Sequence, residues 1–328
     1  MRAKGKKNAK HRTGFTSVVF LLLMVFVHQL YFKGDLEKEA DYSLAKRQSL
    51  GFFNDITSTD WKRLQKKVLK MAPNFCDWMM AEKKFSNFFQ CHYEPDFVCQ
   101  HEQRIGMQGD GGKWICDPHR IAEKVEEGGS CLVYSVGSHN DFSFEQGIHK
   151  DIHKDCDVHT FDFGDFADGA KKAGGKILYH QWGLGVDTTD GKGNVFKSMS
   201  TTLEELGHQN KVIDIFKIDC EECEWDTAVS WFEAATKHNV LIRQIQVELH
   251  RNQAEKVHAF FDLMYEHGYV IIHKEINIIA MEKYKAGMIE YAFLKLDPRF
   301  VNAAPRTKGV DVLKNKAKQG TAEGEKRF

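Results

Sequence analysis

The chain has 328 residues, enough for roughly two domains or one large domain with extensions. Hydrophobic residues make up 42% and charged ones 28%, so most of the chain can bury a core. Lys+Arg and Asp+Glu both number 46, which gives no basic excess and argues against a dedicated nucleic-acid binder. Five prolines, no Gly-X-Y period and no repeat of 20–50 residues exclude collagen-like, Pro-rich disordered and solenoid classes.

The zero charge is unevenly spread. Residues 1–12 carry Arg2, Lys4, Lys6, Lys7, Lys10 and Arg12 and no acid, and read as a cytoplasmic basic tail. Residues 13–32 follow, apolar without interruption from Val18 to Val27 and ending in Tyr31 and Phe32. Basic residues ahead of such a run, with aromatics at its far end, predict a single-pass signal anchor held in the lipid bilayer. The uninterrupted run is short enough for a cleaved signal peptide, although no A-x-A-like site follows it. A buried soluble helix is a third reading, disfavoured because the segment is apolar all round.

An anchor of this orientation makes the chain a type II membrane protein of the secretory pathway, Golgi or endoplasmic reticulum, with its main domain in the lumen. There, some of Cys76, Cys91, Cys99 and Cys116 are expected to pair. The chain has no N-x-[ST] sequon.

Residues 33–100 read as a polar stem and an N-terminal helical extension. Apolar residues at 61, 64, 68 and 71 give helical spacing, with Asp60 near the N-cap. The Phe- and Cys-rich stretch 75–99 is expected to pack on the main domain. That domain is placed at 101–300, and the Lys-, Gly- and Glu-rich remainder, 301–328, reads as a disordered tail.

Strand-like runs begin at Cys131, Asp157, Lys176, Val212, Leu241, Tyr269 and Glu290, with helix candidates at 141–150, 226–238 and 252–267. Alternation of this kind predicts an α/β sheet with crossovers, whose ligands bind at the carboxyl ends of the strands. Gly137-Ser138 follows the first run, with Glu145 in the next helix. The turn suits an anionic ligand at a helix N-terminus, or is a plain βα turn. Asp162 ends the second run, 25 positions after Gly137, where a ribose-binding acid or a solvated strand-end Asp would stand.

The fourth run ends in Lys217-Ile-Asp219-Cys220-Glu221-Glu222-Cys223-Glu224-Trp225. Four acids at the end of a buried strand are costly unless solvated or functional. Cys220 and Cys223 invite a zinc or redox reading, which lacks a second C-x-x-C. Glu248 and His250 close the fifth run on one face, and His250 is a candidate base. Asp110-Gly111-Gly112 is a turn, either a hairpin or a loop folding over a ligand. His149, His153 and His159 read as solvated surface residues, and no metal site is expected.

From Arg104 to about Leu296 these motifs resemble the FkbM-related branch of the class I S-adenosylmethionine-dependent methyltransferases. Asp110-Gly111-Gly112-Lys113-Trp114 is similar to its DGG-aromatic entry motif and Ser135-Val136-Gly137-Ser138 to its glycine loop. The segment from Lys217 to Glu224 is similar to its K-I-D-x-E-G-x-E block. Two positions depart: Glu222 stands where the block has Gly, and the loop carries a single glycine.

The resemblance implies a Rossmann-like sheet of seven strands, the last antiparallel near Glu290–Leu296. It also implies methyl transfer from S-adenosyl-L-methionine. It assigns Asp110, Gly111, Gly112, Gly137, Ser138, Glu145 and Asp162 to the cofactor, and Asp219, Glu221 and His250 to catalysis. FkbM-type relatives favour hydroxyl acceptors, so the expected substrate is a small molecule or glycan, with no nucleic acid. A non-catalytic scaffold and an NAD-dependent oxidoreductase compete with this reading; the missing G-x-G-x-x-G argues against the oxidoreductase.

Overall fold

The structure is a computed structural model that describes residues 57–60, 62–63, 89, 92–95, 97–250, 252–277 and 288–296. The expected anchor (13–32), the basic tail and the C-terminal tail lie outside the described residues. Among those described, no helix is long and apolar enough to cross a membrane.

The chain divides into Met1–Lys62 and Arg63–Phe328. In the first unit, helical backbone begins after Thr57, not at Asp60. The Thr57 hydroxyl accepts the Asp60 N–H (3.2 Å) and donates to its carboxylate (2.7 Å), which makes Thr57 the N-cap, three residues ahead of the expected one.

The second unit opens with a hairpin, β1 (Glu102–Ile105) and β2 (Lys113–Cys116), followed by α1 (Pro118–Glu126). A βα alternation then runs through β3 (Leu132–Val136), α2 (Ser143–Gly147), β4 (Asp157–Phe161), α3 (Ala167–Ala173) and β5 (Ile177–His180). A π-helical turn, Ile148–Ile152, extends α2. Three very short strands form a separate small sheet: β6 (Gly183–Leu184), β7 (Thr188–Thr189) and β8 (Val195–Lys197). The alternation resumes with α4 (Met199–Glu205), β9 (Val212–Ile218), α5 (Cys223–Lys237), β10 (Leu241–His250), α6 (Ala254–Glu266), β11 (Tyr269–Ile276) and β12 (Met288–Lys295).

The main sheet has seven strands in the order β11-β12-β10-β9-β3-β4-β5. β5, β4, β3, β9 and β10 are parallel, and β12 is antiparallel to both β10 and β11. All seven strand-like runs of the sequence become strands of this sheet.

Burial explains their composition. β3 is buried at every position because a parallel strand is covered on both faces. In β10, Ile245, Val247 and Leu249 join the core formed with Leu203 of α4, Trp231 of α5 and Phe260 of α6. The alternate residues Gln244, Gln246, Glu248 and His250 are polar yet buried. The β1–β2 hairpin accounts for the first of them: Gln244 bonds both the N–H and the C=O of Cys116, each at 2.9 Å.

The Phe-rich stretch packs where its described residues allow a reading. Phe89 and Phe97 are buried, Tyr93 stacks on Phe261 with centroids 3.6 Å apart, and Lys274 bonds the Phe89 carbonyl at 2.7 Å. Disulfides join Cys99 to Cys116, Cys131 to Cys156 and Cys220 to Cys223.

Candidate active site

The carboxyl ends of β3, β4, β9 and β10 meet at one edge of the sheet. Gly137 leaves β3 at φ +78, and a Cβ there would lie 1.6 Å from the Asp219 carbonyl oxygen. No side chain fits, because the ends of β3 and β9 touch at this point. The Asp219 N–H donates to the Val136 carbonyl (3.0 Å), and Lys217 reaches across to the Gly137 carbonyl (2.7 Å).

Asp162 ends β4 and organises the glycine loop. Its Oδ2 accepts the N–H groups of Ser138 and His139, both at 2.9 Å, and its Oδ1 accepts that of Gly164 at 2.9 Å. His139 and Asn140 are both left-handed (φ +43 and +65), a strained path that this carboxylate holds in place. Gly137, Ser138 and Asp162 therefore meet as one unit. Oδ1 keeps a lone pair for a further donor.

Glu145 lies elsewhere. It is wholly buried in α2, accepts from Thr160 Oγ1 at 3.4 Å, and leaves Oε2 without a hydrogen bond. Burial pushes its carboxyl up, against the opposing charge of Lys217. It supports the loop from the interior and has no surface to offer a ligand.

Asp110, Gly111 and Gly112 form the hairpin tip, so the hairpin reading holds. Asn277 Nδ2 links this tip to the sheet, lying 3.2 Å from Asp110 Oδ1 and 3.3 Å from Glu248 Oε1. Lys113, the next residue, sends its ammonium into the sheet. It lies 2.6 Å from Glu290, 3.1 Å from Asp219 and 3.8 Å from Glu248.

Among the described residues, Asp219, Glu248 and Glu290 place carboxylate oxygens within 4.8 Å of one another. That is the spacing of a cation site, and the cation already there is Lys113. Burial pushes Asp219 up, but Lys113 and then Lys217 outweigh it and bring it down to about 2. Burial, followed by the Asp219 and Glu290 charges, pushes Glu248 up to about 10.

His250 ends β10 beside the turn after β9. Glu224, fully buried at the start of α5, accepts the His250 backbone N–H (2.9 Å) and lies 3.0 Å from its Nδ1, at which the Glu222 N–H also points from 3.4 Å. Nε2 lies 3.4 Å from the exposed Glu221 carboxylate, so the imidazole is held between two acids. Burial lowers the imidazole's proton affinity, but Glu224, Glu221 and Asp219 outweigh it and raise the pKa.

Glu221 (φ +53) and Glu222 (φ +80) form a left-handed pair spanned by the Cys220–Cys223 disulfide. These sulfurs are bonded to each other and are not zinc ligands. Asp219, Glu221 and His250 are thus brought to one place. Sequence reasoning missed Lys113, Glu224 and Glu290; the first two stand inside the recognised motifs, where their residue types were the available signal.

The histidines resolve differently from expectation. His149 bonds the Cys156 carbonyl at 3.0 Å. His159 is not a solvated surface residue: it is buried on β4, because that strand is covered on both sides. Its Nδ1 lies 2.9 Å from His180 Nε2, and His208 packs edge-on at 4.7 Å.

The residues at the glycine loop suit a nucleoside-type cofactor, since Asp162 holds the loop N–H groups and retains acceptor capacity for a further donor. Solved structures similar to this chain include a 23S rRNA methyltransferase, ErmE, at 12% identity. It covers 62% of this chain and 73% of its own, with a TM-score of 0.31. A second is the StiE O-MT, residues 942–1257, at 8% identity, covering 62% and 78%, with a TM-score of 0.33. A third is M. jannaschii TYW2 in complex with AdoMet, at 11% identity, covering 61% and 90%, with a TM-score of 0.28. Likenesses this distant carry no argument here about substrate. No curated protein matches the chain. The model of a family described as "Methyltransferase domain" matches residues 43–295, most of the chain. The chain belongs to that methyltransferase family, and it is an enzyme whose cofactor is S-adenosyl-L-methionine.

Proposed function

We propose that this methyltransferase is anchored in the membrane by residues 13–32, faces the lumen of the secretory pathway, and O-methylates a glycan or another acceptor there. The observation that carries the chemistry is the Glu224–His250 pair. A buried carboxylate orients the imidazole through Nδ1, and Nε2 stands at the carboxyl edge of the sheet, where it can take a proton. A hydroxyl acceptor must lose its proton as the new bond forms, which is the work of a positioned base. Bound S-adenosyl-L-methionine supplies an electrophilic methyl on a sulfonium sulfur. Gly137, Ser138 and Asp162 would hold it. Asp219 lines the junction with the acceptor, and His250 Nε2 takes the acceptor proton, with Glu221 beside it and open to water.

Three kinds of observation support the lumenal, membrane-bound reading: the disulfides, which persist in oxidising compartments; the basic tail; and the apolar segment behind it. The preference for a hydroxyl rests on the FkbM resemblance together with the base.

The test expresses the full chain in cells. The domain should resist protease in sealed microsomes and become sensitive with detergent. Methyl label from S-adenosylmethionine should enter a glycan or small-molecule fraction. His250→Gln should lower that incorporation about 10²–10⁴-fold while leaving cofactor binding intact. Digestion without detergent, or label confined to RNA, would defeat the proposal.

A further inference from the structure

The register of the sheet sets four acids in one row. Ile218 pairs with Val247, which brings Asp219 level with Glu248 at the open end of β9. Glu248 pairs with Glu290, and Glu290 pairs with Glu275 on the edge strand. Carboxylates directly opposite one another on neighbouring strands repel, and burial deepens the penalty.

The β1–β2 hairpin lies across this row and answers it group by group. Arg104 pairs with Glu275, and Trp114 Nε1 donates to Glu275 at 2.9 Å. Lys113 reaches all of the other three, with 1% of its side chain exposed. The exposure of those three is graded: 19% for the Asp219 side chain, 7% for Glu290 and 3% for Glu248.

We propose that Lys113 is a positioning residue of the active site: its ammonium fills the acid row and holds Asp219, as a charged carboxylate, at the water-facing end. This rests on the reading that Asp219 lines the junction of cofactor and acceptor. Lys113 and Lys217 are two ammoniums against three carboxylates in a dry interior, so a proton stays with the deeper glutamate pair. Glu248, pushed up by burial and then by the charges of Asp219 and Glu290, keeps it. The cations facing Asp219 favour this partition and outweigh the nearby Glu290 carboxylate. Lys113 reaches it from β2 and Lys217 from its own strand at 4.0 Å, His250 acts from β10, and the neutral Glu248 adds no negative charge. Asp110 is kept on the hairpin tip by Asn277. A charged Asp219 balances a cationic sulfonium; a protonated one carries no charge to do so.

The test is carbon-13 NMR of the carboxyl groups in the full chain in lipid nanodiscs, with the Asp219 signal identified by Asp219→Asn. In the wild type, Asp219 should remain ionised down to pH 3.5, and Glu248 should remain protonated at pH 8. Lys113→Met should move the Asp219 midpoint up by more than one unit. Its affinity for S-adenosylmethionine, measured by calorimetry, should then fall ~tenfold per pH unit below the new midpoint. Glu248→Gln mimics the neutral acid and should leave both quantities unchanged; it keeps the test decisive if Lys113→Met does not fold. An ordinary Asp219 midpoint in the wild type, an unmoved one in folded Lys113→Met, or a displaced one in Glu248→Gln overturns the proposal. Failure of the site reading looks different: the carboxyl titrations behave as stated, but Asp219→Asn binds S-adenosylmethionine like the wild type.

Discussion

Glu222 occupies a backbone position suited to glycine, with φ +80 and ψ −6. The left-handed region costs an L-residue roughly 1–2 kcal/mol. Glycine escapes this but loses about 0.5–1 kcal/mol more in chain entropy. Glu222→Gly should therefore stabilise the enzyme by roughly 0.5–1 kcal/mol, read as a rise of a few degrees in melting temperature. An unchanged or lower melting temperature would show that the Glu222 side chain contributes something that offsets the strain. This departure from the family block was legible because the motif surrounds it. The roles of Asp162 and Lys113 were legible only in part. Spacing brought Asp162 to attention, but not its bonds to the loop N–H groups. The acids around Lys113 come from residues 106 and 177 positions away, and no local pattern joins groups so separated.

Among the elements, the disulfides differ in what they close. Cys131–Cys156 ties the approach to β3 to the approach to β4, with a sequence separation of 25, whereas Cys220–Cys223 closes a turn with a separation of 3. Chain-entropy reasoning assigns about 3.5 kcal/mol to the first and about 2 kcal/mol to the second. Replacing each pair by alanines and comparing denaturant midpoints should reproduce that order. A larger loss for the short loop would mean that the Cys220–Cys223 bridge holds the left-handed turn directly, rather than limiting the unfolded chain. β3 was readable because a parallel strand buried on both faces appears as an unbroken apolar run, and the other main strands because of their short β-branched and aromatic runs. The helix candidates were readable by length and spacing. α3, written ADGAKKA, carries only one buried residue, and β6, β7 and β8 are two or three residues long. Segments so short bury too little to leave a period in the sequence, and they escaped notice for that reason.

For the whole molecule, buried titratable groups at opposite ends of the main sheet set a pH optimum of stability. Burial, then the neighbouring histidines, lowers His159 to about 3; burial, His208 and Lys197 lower His180 to about 4. Both are neutral in the folded protein, while unfolding restores an ordinary affinity near ~6.5. Between those values the unfolded chain binds more protons, so stability is complete above about pH 6.5 and falls as pH drops through this window. Glu248 works in the other direction. Raised to about 10, it stays protonated when folded, so its contribution is present at low pH and fades as pH rises towards 10. From pH 4.5 to 6.5 the lowered histidines His159, His180 and His208 oppose the raised glutamates Glu145, Glu248 and Glu290; above that window the glutamates act unopposed, joined by His250, whose affinity is raised. Each proton is worth at most about 1.4 kcal/mol per pH unit, and less for His180, which is partly open to water and screened. The melting temperature should therefore stay near its maximum between about pH 4.5 and 6.5 and fall on either side. His159→Gln with His180→Gln should weaken the acid limb, and Glu248→Gln the alkaline limb. An acid limb that survives loss of both histidines would place the sensitivity in the carboxylates of the active edge instead.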